Sequence, residues 1–98
     1  MFKSIKIILI FLITLNFSNS ILADEKFFEK GKQKYKEKKY DDSKFLLQQS
    51  IVFDPKDAKS YLYLAKIYNH EKNRKEEEKN VNTVLLLDPK NEEAIYML

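Results

Sequence analysis

Five groups could carry chemistry in this 98-residue chain: His70, the serines at 43, 50 and 60, and the run Glu76-Glu77-Glu78. A serine nucleophile is normally held on a strained Gly-x-Ser-x-Gly turn, and Gly31 is the only glycine. The same scarcity excludes a glycine-rich loop that cradles phosphate. With no cysteine there is no thiolate, no disulfide and no lipid-modified cysteine. His70 has no second imidazole to share a metal with, and it reads as an exposed surface histidine. Successive helical residues point about 100° apart, so the three glutamates cannot converge on one ion and read as a solvated face. The sequence therefore predicts no catalytic residue, no metal ligands and no cofactor, hence no enzyme.

The elements that would position such groups are legible from a repeat. Asp54-Pro55-Lys56 returns 34 residues later as Asp88-Pro89-Lys90, and 34 residues is the period of a helix-turn-helix unit. The same shift pairs Phe27 with Tyr61, Gly31 with Ala65, Leu47 with Val81, Ile51 with Leu85 and Phe53 with Leu87. Helices are expected over 26–38, 42–53 with Asp41 as N-cap, 58–69 capped by Asp57, and 74–87. Each residue before a proline is pushed from helical angles, so Asp54 and Asp88 end the second and fourth helices. Asn91 then caps a short last helix with Glu92 and Glu93 in its first turn. The expected fold is all-α: two antiparallel helix pairs plus a short C-terminal helix. Gly31, Ala65 and Ser43 are small where partner helices must touch, although Gly31 costs its helix about 1 kcal/mol relative to alanine. Glu77 stands where the first unit has Ser43, and its carboxylate is expected to reach solvent. Lys30 likewise replaces the apolar Leu64 of the second unit.

An aromatic opening the first helix, a small residue four later, an aliphatic ladder on the second helix and a closing Asp-Pro together resemble the tetratricopeptide repeat. The resemblance covers about Asp24 to Leu98. It implies a solenoid with one unit over 24–57, a second over 58–91, and the start of a third or a capping helix over 92–98. In this family the first helix of each pair lines a concave, peptide-binding surface. Carried over by position, that surface would present Phe28, Lys32, Tyr35 and Lys36 from the first unit. The second would add Lys59, Leu62, Tyr63, Lys66, Asn69 and His70. Tyrosines give broad contact at low entropy cost, and lysines on the same wall favour a partner carrying carboxylates. The family's carboxylate clamp is absent, since Phe28 and Lys32 occupy the positions its first repeat would use.

Residues 1–23 have the three-part layout of a secretory signal peptide: Lys3 and Lys6, an apolar run from Ile7 to Leu15, then a polar stretch ending at Ala23. Its apolar core is shorter than the roughly 20 residues that span a bilayer. The sequence thus predicts cleavage and export to a bacterial periplasm or beyond, with membrane attachment only if the segment stays uncleaved. Without Lys3 and Lys6 the chain carries 16 basic and 15 acidic residues. No clustered basic stripe is left to bind nucleic acid, and the lysines between Lys30 and Lys39 scatter around their helix. The functional expectation is an exported, non-catalytic scaffold that binds a peptide or partner protein in the groove. The alternative is a small structural subunit whose apolar edge at Ile95, Met97 and Leu98 pairs with another copy or joins an envelope complex.

Overall fold

A lysine in left-handed conformation closes each helical hairpin: Lys38 at φ 62° and Lys72 at φ 58°, 34 residues apart. The computed structural model describes residues 22–98, so the leader expected at 1–23 lies, but for Leu22 and Ala23, outside the described residues. Helix α1 is described over 22–36, followed by α2 (Tyr40–Phe53), α3 (Ala58–His70), α4 (Arg74–Leu87) and α5 (Glu92–Tyr96). There is no strand among the described residues. The architecture is the expected one, two antiparallel helix pairs and a short last helix in a tetratricopeptide-like arrangement.

The period recurs in the backbone bonds. Lys38 and Lys39 donate to the carbonyls of Tyr35 and Lys34 at 3.0 and 2.9 Å, and Lys72 and Asn73 repeat this to Asn69 and Tyr68 at 3.1 and 2.9 Å. This crossed pair satisfies the last carbonyls of a helix and needs one left-handed residue. Because the turn closes over 37–39, α1 ends at residue 36 instead of 38, and α2 starts at once. Asp41 is therefore not the N-cap; Lys39 is, without a side-chain cap bond, and Asp41 and Asp42 sit in the first turn beside the positive helix end. Asp57 and Asn91 cap as expected, accepting from Lys59 N–H at 3.0 Å and Ala94 N–H at 2.9 Å. Asp54 and Asp88 leave their helices at nearly the same angles, φ −140° ψ 89° and φ −141° ψ 85°.

Burial follows the same register. One core cluster joins Leu62, Ala65, Val81, Val84 and Ala94. Thirty-four residues earlier stand Phe28, Gly31, Leu47, Ser50 and Ser60, all buried as well. The second cluster, Phe28, Leu47, Leu64 and Ile67, fastens the first hairpin to α3. The first junction differs from the second in polarity. Ser60 donates to Ser50 Oγ at 3.0 Å, and Ser50 donates to the carboxylate and carbonyl of Asp24, linking α3, α2 and α1. The counterparts of Asp24, Ser50 and Ser60 are Ala58, Val84 and Ala94, so the second junction is apolar. Every buried side-chain nitrogen and oxygen among the described residues has a hydrogen-bond partner, which removes the penalty such groups otherwise carry.

Candidate functional site: a groove walled by four helices

A groove of about 660 Å³ opens where the hairpins meet the last helix. Tyr35 borders it from α1 and Lys66, Asn69 and His70 from α3. Arg74 and Glu77 close it from the start of α4, and Glu93 and Tyr96 from α5, with Met97 and Leu98 just beyond. These positions converge because the last turn of each first helix and the first turn of each second helix meet at the same end of a hairpin.

Tyr35, His70 and Tyr96 are its aromatic lining, and the first two are braced by rings that stand outside it. Tyr35 meets Tyr63 edge-on at 5.2 Å and Tyr40 at 5.9 Å, and the Tyr40 ring lies 4.6 Å from the imidazole of His70. Edge-to-face pairs at these separations are favourable and hold the rings in place. The charges on the walls are largely compensated. Lys66 pairs with Glu93 and lies 4.8 Å over the ring of Tyr63. Arg74 Nη1 is 3.6 Å from Glu77, whose Oε1 also accepts from Asn69 Nδ2 at 3.2 Å.

The carried-over groove surface is thus only partly assembled. Tyr35, Lys66, Asn69 and His70 line the groove together, whereas Lys32, Lys36, Lys59 and Tyr63 fall outside its lining. Phe28 and Leu62 are a correction: at 5% and 8% exposed they belong to the two core clusters and offer no surface. Each is one helical step past the half-buried Phe27 and Tyr61, and that step turns it from the rim into the interior. Lys59 lies 4.7 Å over the buried Phe28 ring and 3.9 Å from Asp57. Lys32 and Lys36 have no ion-pair partner among the described residues. Glu77 is a second correction. It is 4% exposed, held by Asn69 and Arg74 instead of reaching solvent.

Met97 and Leu98, expected on a separate edge, line this same groove, while Ile95 stands outside it, half exposed. The sequence reading missed Arg74, Glu77, Glu93 and Tyr96. A signal existed for Glu77, which falls eight residues after Asn69 across the short turn at 71–73.

A different cluster lies at the first junction. Asp24, Asp54 and Asp57 bring one carboxylate oxygen each within 4.8 Å of the others. Each already accepts from a protein donor: Ser50 for Asp24, Lys56 N–H for Asp54 at 3.1 Å, Lys59 N–H for Asp57. Burial pushes the Asp57 carboxyl above its ordinary range, the Lys59 amide and ammonium pull it back, and the charges of Asp24 and Asp54 push it further up. The Tyr61 hydroxyl donates to the Pro55 carbonyl at 2.9 Å, and burial, then Asp54, raises its pKa.

No family model matches the chain, and no curated protein does. No described helix is long and apolar enough to cross a membrane.

Proposed function

We propose that this chain is a tetratricopeptide-type, non-catalytic scaffold that holds a peptide or a partner protein in the groove between α1, α3, α4 and α5. The observation that carries this reading is the groove itself. Its aromatic lining, Tyr35, His70 and Tyr96, supplies stacking area, and Asn69, Lys66 and Arg74 supply polar anchors around it. Rigid aromatic surface rimmed by a few polar groups is how small binding sites gain contact without ordering many rotamers. Lys32 and Lys36, cations without a carboxylate of their own, favour a partner bearing acidic residues. The scaffold acts after export, a reading supported by the layout of residues 1–23. Cleavage after Ala23 would leave Asp24 as the first residue with its bonds from Ser50 intact.

The test is selection of random dodecapeptides on the purified chain, followed by fluorescence anisotropy of the recovered binders. Recovered peptides should be acidic, and Tyr35→Ala with Lys66→Glu should weaken them about tenfold, or about 1.4 kcal/mol. Glu78→Lys, on the exposed side of α4, should leave them unchanged. Equal affinity of both variants would remove the groove from the account.

A further inference from the structure

Two carboxylates line the groove, and they differ in freedom. Glu77 is 4% exposed and held by Asn69 and Arg74, so it stays in place. Glu93 reaches in from the first turn of α5, and its side chain is 60% exposed. Its partner is Lys66, a cation resting over the Tyr63 ring. Lys66 is thereby already paired on the wall where an acidic residue of a bound segment would meet it.

Stacking of the helices does not require that pair. Moved back by 34 residues, Lys66 and Glu93 fall on Lys32 and Lys59, two positive charges. The first hairpin still seats on α3 through Phe28, Leu47, Leu64 and Ile67, with Lys59 turned toward Asp57 and the Phe28 ring. At the second junction Leu62, Ala65, Val81, Val84 and Ala94 supply the fit, to which an ion pair this exposed adds only modestly.

We propose that Glu93 is a built-in stand-in for the acidic partner: its carboxylate occupies Lys66 until a carboxylate of the partner displaces it. This rests on the groove reading of the function and names the control on that groove. Glu93 can swing out to solvent with α5 in place, because its side chain is already more than half exposed. Exchanging one carboxylate for another gains little at Lys66 itself, so affinity depends on the partner's other contacts.

The probe is fluorescein-labelled hexaglutamate, followed by anisotropy at low salt against the parent chain, Glu93→Gln, Lys66→Gln and the double variant. Glu93→Gln should tighten binding about three- to fivefold, the scale of a half-exposed ion pair. That gain should vanish on the Lys66→Gln background and shrink as salt is raised. Glu92→Gln removes the same charge from the same helix turn but outside the groove lining, and it should change affinity by less than about twofold. Unchanged or weaker binding by Glu93→Gln, an equal gain from Glu92→Gln, or a gain that survives Lys66→Gln would each overturn the proposal. Hexaglutamate bound by no variant would overturn it too. Selected dodecapeptides still held through Tyr35 and Lys66 would in each of these cases leave the scaffold reading standing.

Discussion

Gly31 and Leu47 touch so closely that a Cβ on Gly31 would fall 2.9 Å from Leu47 Cγ and 3.3 Å from its backbone nitrogen. Neither atom is a free side-chain end, and Leu47 is fully buried, so little can give. Thirty-four residues on, the pair is Ala65 and Val81: the helix that gains a methyl faces a partner that has lost a methylene.

Gly31→Ala should therefore destabilise the chain by about 1–3 kcal/mol despite the better helix propensity of alanine. Leu47→Val alone should cost about 1 kcal/mol or more for lost packing. The double variant, which copies the second unit, should cost less than the sum of the two. Urea unfolding of all three measures the coupling, and strict additivity would deny the contact its role.

Lys38 and Lys72 occupy the left-handed region, where a Cβ costs about 1–2 kcal/mol. Replacing either with glycine should stabilise the chain by roughly 0.5–1 kcal/mol, net of the greater chain entropy lost. The two gains should agree within error, since both turns make the same crossed bonds. Thermal melts of the single variants check this.

Asp57 gives the pH dependence. Its folded-state pKa is raised above that of the unfolded chain, so folding takes up a proton. Its contribution to stability is fully present below the ordinary aspartate value near 3.8 and is lost as pH rises through the folded value. Asp57→Asn keeps the cap on Lys59 N–H, as asparagine caps about as well, while removing a charge beside Asp24 and Asp54. The variant should melt above the parent at pH 7, with the difference shrinking toward pH 4. A constant difference would mean that neither burial nor the neighbouring carboxylates raise the Asp57 pKa in the folded chain.

Core and groove separate cleanly under substitution. Phe28→Ala and Leu62→Ala should each cost about 2–5 kcal/mol and lower the melting temperature sharply. His70→Ala, at an exposed position, should change peptide affinity with little effect on the melt, whereas Asn69→Ala should also lower the melt by removing a donor from the buried Glu77 carboxylate. Circular dichroism beside anisotropy reads both quantities on the same samples.

Backbone architecture was nearly all legible because its signals are local. Asp-Pro ends a helix by sterics, and Asp57 and Asn91 cap by a bond to a near neighbour, so each boundary is written within a few residues. Lys39 and Asp41 show the limit. Both lysine and aspartate can flank a helix start, and only the crossed bonds of the preceding turn decide between them. The groove was legible in half, because position in a repeat fixes which helix a residue lies on but not its rotation to within one step. That step separates the buried Phe28 from the half-buried Phe27, stacked on Phe53 at 5.6 Å. The meeting of Asp24 with Asp54 and Asp57 joins residues some thirty positions apart, with no spacing rule to announce it.

The serine relay gives the two ends of the stack different tolerances. Sliding α1 along its neighbours would strand the Ser50 hydroxyl without its acceptors on Asp24, so that joint is keyed by direction. Ala58, Val84 and Ala94 offer no such key, and besides apolar fit α5 is held across the stack by the ion pair of Glu93 with Lys66. If the proposed scaffold grips a partner, adjustment to it falls at the C-terminal end, with the N-terminal hairpin as the fixed jaw.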